Sequence, residues 1–497
     1  MFNKITPEQA GISSRNILDF LKTLDQYGFS THDVIMARGN DIFFECYYKP
    51  FDKDFKHRLY SSSKSFVAIA IGLAIDDGLL SLDDKFIKFF PEAQNENLDD
   101  YLAQTTIRDM LTMSTSMQRG VDWFGRRPDD RVPIYFMKKS DKIPGTIYEY
   151  DSSGSYMLGV IVERLTGKPF LKYMQEKFLD DIGFSKDAYC IQSPGGYSFA
   201  DSGVVCTARD FLAVARFTMN KGEWNGKQYM SREFLEDATS RLVDNQNGFY
   251  QGGFHGYGYG YQIWKTPRDG FLFTGMGGQY AICDPKTDTI IIMNSDNQFN
   301  PYSETVTFHE IYKNIFPAIG EPLAEDKEAQ KELEDYVGGL ELMSLKDDSL
   351  GFGAFAEKVN GVTYRFDRSQ TEIEYMRLDF QGDKGTITYL TPRGEKVLPF
   401  GMGYNIFGLF PEKGYPNMIA TKCEPGHQYQ CAASATWVEE QKLKIKVQII
   451  DNYFGNATFI LSFKDDKVTM WITKNAEAFM YEYNVFATGT ADRLDNK

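Results

Sequence analysis

Ser61-Ser62-Ser63-Lys64 is the one S-x-x-K in a chain of 497 residues. It stands just before an apolar run, Phe66 to Ile75, that reads as a helix closing at Gly78. Residues three apart share one face of a helix, so the Lys64 amine is placed beside the Ser61 hydroxyl. Burial disfavours the ammonium form, and a neutral amine can take the proton of a serine nucleophile. The positive end of the helix favours an oxyanion developing nearby. The chemistry this points to is acyl transfer through a serine ester. Serine and lysine are common, and one such tetrapeptide arises by chance in many chains of this size, so its neighbours must decide.

Other chemistries lack their residues. Five histidines form no H-x-x-x-H or H-E-x-x-H pair, which argues against a histidine-bound metallohydrolase. No G-x-S-x-G supplies a nucleophile elbow, and neither a G-x-G-x-x-G opening a helix nor a P-loop is present. Cys423, His427 and Cys431 are spaced C-x3-H-x3-C, but a fourth zinc ligand is missing and the surroundings read as a β-turn region. No metal and no cofactor are expected.

Beyond Lys64-Ser65-Phe66, the stretch Asp76-Asp77-Gly78-Leu79-Leu80-Ser81-Leu82-Asp83-Asp84 resembles the serine β-lactamase and penicillin-recognising family, on its class C side. The nearer resemblance is to the esterase and amidase members, such as the 6-aminohexanoate-oligomer hydrolases. Further matches follow in order. Ile107 to Ser114 resembles the segment after the family's first helix. Pro144-Gly145 and Tyr150-Asp151-Ser152 resemble its second motif, Tyr-x-Asn or Tyr-x-Ser. Ser202 to Asp210 resembles its gating segment, and Thr274-Gly275-Met276-Gly277-Gly278-Gln279 its third motif. The resemblance covers about residues 5–318.

This resemblance implies roles. Ser61 is the expected nucleophile and Lys64 its base. Tyr150, a phenol beside Lys64⁺ and so expected to shift toward phenolate, passes a proton to the leaving group. As one of 30 tyrosines it would otherwise be a core or rim aromatic. Ser152 hydrogen-bonds Lys64 or substrate. The N–H groups of Ser61 and Met276 form the oxyanion hole, and Thr274, Gly275 and Gly277 let substrate lie along the strand edge. Phe273 stands where the family often carries Lys or His to meet a substrate carboxylate, and Ser152 stands in place of Asn. Both departures point away from penicillins and toward an ester, amide or small peptide. Trp123, Phe124, Tyr148 and Tyr156 either line an aromatic pocket or pack in the core.

The elements that must hold these residues can be read from periodicity. Helices are expected over 7–28, Ser65–Asp77, Ile107–Met113, Tyr156–Leu165, Ala208–Met219 (capped by Thr207) and Phe308–Phe316. Strands are expected at 32–37 and 41–45, and over 259–264, 271–274, 279–283 and 289–293. The reading is α+β: a β-lactamase/transpeptidase-like domain over residues 1–320, with an antiparallel sheet, flanking helices and an all-helical part. Pro317, Gly320, Pro322 and the charged run from Glu325 to Glu334 suggest a linker or short exposed helix at 321–336. Period-two segments such as Leu443-Lys444-Ile445-Lys446-Val447-Gln448-Ile449 make 337–497 a small all-β, barrel-like domain.

Composition sets the class of partner. Charge is −15, from 54 Lys+Arg against 69 Asp+Glu, so phosphate backbones and anionic lipid surfaces are disfavoured. The expected partner is a small molecule or peptide. The first seven residues carry no secretory signal, and the longest apolar run, Phe66 to Ile75, is too short to span a bilayer. Six scattered cysteines read as reduced thiols, and a cytoplasmic location is expected. Two other activities share this sequence pattern: a binding or sensor protein of the same fold, and an acyltransferase in which an amine replaces water.

Overall fold

The computed structural model describes residues 2–94, 98–117, 120–121, 130–246, 256–346, 352–367, 372–411, 428–451, 454–476 and 485–492. They form two compact units, one ending at Glu341 and one beginning at Leu342. Among the described residues, no helix is long and apolar enough to cross a membrane.

In chain order, the first unit runs β1 (Asn3–Lys4), α1 (Ser14–Gln26), β2 (Thr31–Arg38), β3 (Asp41–Tyr47), β4 (Lys56–Arg58), α2 (Ser63–Asp76), α3 (Ile107–Leu111) and α4 (Arg131–Phe136). It continues through α5 (Ser152–Thr166), β5 (Val204–Thr207), α6 (Ala208–Met219), β6 (Trp264–Lys265), β7 (Phe271–Gly275), β8 (Gln279–Asp284), β9 (Thr289–Ser295), α7 (Ser303–Glu310) and α8 (Lys327–Gly338). Seven strands form one sheet in the order β1-β3-β2-β9-β8-β7-β6. All neighbours are antiparallel except the short β1, which runs parallel to β3. The central strands β2 and β9 are apolar on both faces, as a sheet between two helical layers requires. Ile17 and Leu21 of α1 join Phe308, Ile311 and Phe316 against Val34, Met36, Ile291 and Met293. Helix α6 packs against β2, β8 and β9.

Local sequence explains the helices that position the site. α2 is buried continuously from Ser63 to Ala74, which its all-round apolar composition permits, and it packs on α5. α6 starts at a capping box: Thr207 Oγ1 accepts from Asp210 N at 3.1 Å, and Asp210 Oδ2 accepts from Thr207 N at 3.0 Å. α5 ends at Gly167, whose φ of +68° is the left-handed conformation glycine tolerates.

Two expectations are corrected. The helix expected over 7–28 begins only at Ser14, where the Ser13 side chain caps it; the preceding residues form turns. The strand expected over 259–264 is reduced to its last residue, because Gln262 adopts φ +55° and its amide donates to the Met110 and Leu111 carbonyls at 2.9 and 3.1 Å. Of the linker or short exposed helix expected over 321–336, the helix is present as α8, which buries Ala329 and Leu333, packs on α1 and pairs Glu332 with Arg15 at 3.1 Å.

The second unit is a closed barrel. Its strands are β10 (Thr363–Phe366), β11 (Tyr375–Gln381), β12 (Lys384–Thr391), β13 (Gly394–Met402), β14 (Gln430–Glu439), β15 (Lys442–Ile450), β16 (Phe454–Lys464), β17 (Lys467–Ala476) and β18 (Val485–Ala491). Neighbours from β10 to β13 and from β14 to β18 pair antiparallel, β18 returns to β10, and the parallel pair Gly401↔Ser434 and Met402↔Ala435 joins β13 to β14. Closure at β13 and β14 is short, and Ile406–Leu409 adds a further strand antiparallel to β14. Leu443, Ile445, Val447 and Ile449 alternate inward, meeting Leu378, Leu398, Trp437 and Phe459. The barrel-like all-β expectation is met. Of the C-x3-H-x3-C residues, Cys423 and His427 lie outside the described residues, and Cys431 is buried in β14.

Candidate active site

The site begins where β4 runs into α2. Tyr60, between them, holds φ at +48°, an unfavourable conformation for a bulky residue that persists only where its surroundings enforce it. They do. The Arg58 guanidinium lies 4.4 Å from the Tyr60 ring centroid. Leu59 N donates to Val204 O at 2.8 Å, and Ser62 Oγ donates to Gln279 O at 2.9 Å. The turn is thus pinned to β5 on one side and β8 on the other. It leaves Ser61 partly open to solvent and buries Lys64, which is 2% exposed.

Lys64 Nζ donates to Ser61 Oγ at 3.0 Å and to Asp201 O at 2.8 Å. It also lies 5.2 Å from the Tyr150 ring centroid. Tyr150 precedes α5, where Asp151 caps the helix by accepting from Gly154 N at 3.0 Å and Ser153 Oγ at 2.6 Å. The Tyr150 ring packs 5.9 Å from Trp264. Its hydroxyl hydrogen-bonds the Ser61 and Ser152 side chains. Burial pushes the Tyr150 phenol up and outweighs these two hydrogen bonds, which pull it down. The expected shift toward phenolate is therefore corrected: Tyr150 keeps its proton at neutral pH, because its hydroxyl is desolvated.

The opposite wall is β7. A Cβ on Gly275 would meet Leu59 O at 2.1 Å, so this strand reaches the Ser61 turn only with glycine there. Thr274 is half-buried, and Met276 is 39% exposed. Gly277 and Gly278, at φ +83° and +102°, complete the turn into β8. Ser295 Oγ donates to Gly277 O at 2.6 Å, and Gln279 Nε2 donates to Met276 O at 3.1 Å, so the turn is held from beneath.

Ser61, Lys64, Tyr150 and Ser152 are thus joined by hydrogen bonds, and Gly275 abuts the same turn. Thr274, Met276 and Gly277 continue along that strand and its turn. Phe273 points away into the core, fully buried, with its ring 6.2 Å from Phe211 of α6. Tyr148 and Tyr156 are buried: Tyr148 packs on Tyr259 and Trp264, and the Tyr156 hydroxyl bonds Ser193 Oγ at 2.8 Å. Trp123 and Phe124 lie outside the described residues. Sequence reasoning missed Asp201, Trp264 and the strained Tyr60. Asp201 adjoins a recognised segment, but its residue type gave no sign of a backbone contact to Lys64.

A helical layer, an antiparallel sheet and an S-x-x-K at the head of a buried helix define the class of β-lactamases and penicillin-binding proteins. The chain belongs to the Beta-lactamase family, whose model matches residues 19–310. It is 27% identical over 312 residues to the 6-aminohexanoate-dimer hydrolase of Paenarthrobacter ureafaciens, covering 59% of this chain and 79% of that protein. Its fold is similar to that of the D-amino acid amidase from Ochrobactrum anthropi SV3, with TM-score 0.50 and 17% identity over 61% of this chain and 97% of the other. It is similar in the same way to a penicillin-binding protein homolog from Caulobacter crescentus, with TM-score 0.50 and 14% identity over 61% and 99%. The family includes hydrolases of amides.

Proposed function

We propose that this chain is a serine hydrolase that forms an acyl-enzyme on Ser61. The observation that carries the reading is the buried Lys64 amine, 3.0 Å from the hydroxyl of the partly exposed Ser61. Ser61 Oγ attacks the substrate carbonyl carbon, and its proton passes to Lys64 Nζ. The carbonyl oxygen becomes an oxyanion that the N–H groups of Ser61 and Met276 receive. The bond to the leaving group breaks as the Tyr150 hydroxyl gives that group a proton, and Lys64 returns a proton to Tyr150. Water then attacks the ester with Lys64 again accepting a proton, and Ser61 is regenerated.

The substrate class follows from the wall of the site. Phe273 is buried against Phe211, so the position before Thr274-Gly275 carries no cation to meet a substrate carboxylate. Esters, linear amides and small peptides fit this wall better than penicillins. The 6-aminohexanoate-dimer hydrolase relative supports a linear amide. The partner is a small molecule or peptide, in the cytoplasm.

Turnover of p-nitrophenyl esters, linear aminoacyl amides and nitrocefin by wild type and Ser61→Ala tests the reading. Ester or amide turnover that is lost in Ser61→Ala, with nitrocefin slow or inert, is expected. Equal turnover by both proteins would overturn it. Faster release in the presence of an added amine, with the amine found in the product, would reassign the second step to acyl transfer.

A further inference from the structure

Behind Lys64 lies a buried set of charges that the hydrolytic steps do not use. Asp201, whose carbonyl accepts from Lys64 Nζ at 2.8 Å, is itself only 1% exposed. Its Oδ1 has no hydrogen-bond partner among the described residues. Two guanidinium groups flank the same segment. Arg58, fully buried, donates from Nε to Ser202 O at 2.8 Å and from Nη2 to Ser202 Oγ at 3.0 Å. Arg131 of α4, 3% exposed, lies 4.2 Å from the Phe199 ring centroid, and Arg58 lies 5.2 Å from the same ring. The short stretch from Phe199 to Ser202 therefore supplies one carboxyl and the carbonyl that anchors Lys64, and two permanent cations pack against it.

Both arginines remain charged, because a guanidinium does not lose its proton in a protein. Lys64 is the one cation of the three that can respond to its neighbours by releasing a proton. The arginines drive it toward the neutral amine, and a carboxylate at Asp201 drives it back toward the ammonium. Burial keeps all four groups away from the water that would screen them. Burial holds the Asp201 carboxyl above its ordinary range, against the downward pull of Lys64, Arg131 and Arg58, so the three cations all bear on it. Other groups face the cluster: the Tyr150 hydroxyl from the start of α5, Tyr156 from within α5, and the Cys190 thiol, which feels Asp201 and Arg58.

We infer that Asp201 is a positioning residue, whose carboxyl opposes Arg58 and Arg131 and so sets the pH at which Lys64 becomes a base for Ser61. The inference rests on the hydrolase reading for its consequence, but the proton state of Lys64 can be measured without turnover.

The test is a pH titration of the Lys64 carbon-13 ε resonance in lysine-labelled full-length protein, assigned by its loss in Lys64→Arg. Asp201→Asn removes the carboxylate at constant shape, and its Lys64 midpoint is expected to fall by about one pH unit. Arg131→Gln removes a cation, and its midpoint is expected to rise by a similar amount. Asp201→Ser and Arg131→Met replace either variant that thermal melting shows to be unfolded. Midpoints that stay at the wild-type value, or move in the same direction in both variants, would overturn the inference. The rate of Ser61 labelling by a fluorophosphonate, followed over the same pH range, reads the hydrolase assignment separately. Its acid limb is expected to move with each Lys64 midpoint. Absence of Ser61 labelling in wild type at every pH would sink the hydrolase reading, and the resonance titration would still decide the charge set.

Discussion

Gly275 and Leu59 approach so closely that a single methyl group would separate them: a Cβ at 275 would lie 2.1 Å from the Leu59 carbonyl oxygen. Leu59 is two residues from Ser61, and Gly275 immediately precedes Met276. This contact therefore sets the distance between the serine and the N–H group proposed to receive the oxyanion. Gly275→Ala forces backbone away from backbone, and neither atom belongs to a flexible side chain. Misplacement of this kind costs rate steeply. Ester turnover should fall about 100-fold, with a stability loss of about 1–3 kcal/mol read from urea unfolding. Wild-type turnover in Gly275→Ala would show that the contact does not set the geometry of the reaction.

The proposed mechanism has the protonated Tyr150 donate to the leaving group. A p-nitrophenolate leaving group departs without one, whereas an amine must be protonated to leave. In Tyr150→Phe, amide turnover should drop about 100- to 10,000-fold, while p-nitrophenyl ester turnover falls much less. Equal losses on the two substrate types would argue for a purely structural tyrosine.

Glu45 ties β3 to α6. Arg209 donates to it from Nε and Nη2, both at 2.6 Å, and Tyr47 Oη donates at 2.6 Å. Burial raises the carboxyl, but these hydrogen bonds, with Lys4, outweigh it and hold Glu45 at about 2. A carboxyl depressed in the folded state adds stability that is present above its unfolded pKa and is lost as pH falls through the folded value. Because Arg209 is partly exposed, the contribution is discounted to about 2 kcal/mol. Arg209→Ala should lose about that amount at pH 7 in chemical denaturation and much less near pH 2. A loss that is the same at both pH values would contradict the assignment.

Asp33 shows the opposite sign. It is fully buried on β2, accepts from Asn294 Nδ2 at 2.9 and 3.1 Å, and sits 3.5 Å from His57 Nδ1. Burial, against the Asn294 hydrogen bonds, pushes its carboxyl up to about 8. The folded state then holds a proton that the unfolded chain has released, so stability falls as pH rises from the ordinary carboxyl range to about 8. Burial also lowers His57 to about 3, so that residue costs stability on the acid side, below its ordinary range. Asp33→Asn should flatten the alkaline side of the stability profile. Measured by urea unfolding, it should gain at pH 8 relative to pH 5 when each is compared with wild type. A parallel displacement of the whole curve would show that Asp33 is not the titrating group.

What the sequence made legible was local. Thr207 and Asp210 close a capping box three residues apart, and helix Ala208–Met219 has the bounds its sequence predicts. Ser61 and Lys64 sit one turn apart, so their contact follows from spacing alone. The inward alternation of Leu443, Ile445, Val447 and Ile449 likewise marks a strand of a closed barrel. What remained hidden depends on distant partners. Gln262 breaks an expected strand because its amide reaches Met110 and Leu111, about 150 residues away. Asp201, Arg58 and Arg131 meet only in the fold, and none stands in a pattern that marks it. The Tyr150 proton follows from burial, which residue types alone do not report. Tyr60 carries backbone strain that no aromatic residue announces.

Intact mass after incubation with a fluorophosphonate tests the central claim most directly, for wild type, Ser61→Ala and Lys64→Ala. The account predicts one adduct per wild-type chain, placed on Ser61 by peptide mapping, none in Ser61→Ala, and strongly slowed labelling in Lys64→Ala. An adduct that persists in Ser61→Ala, or folded wild-type protein that takes no adduct, would contradict it.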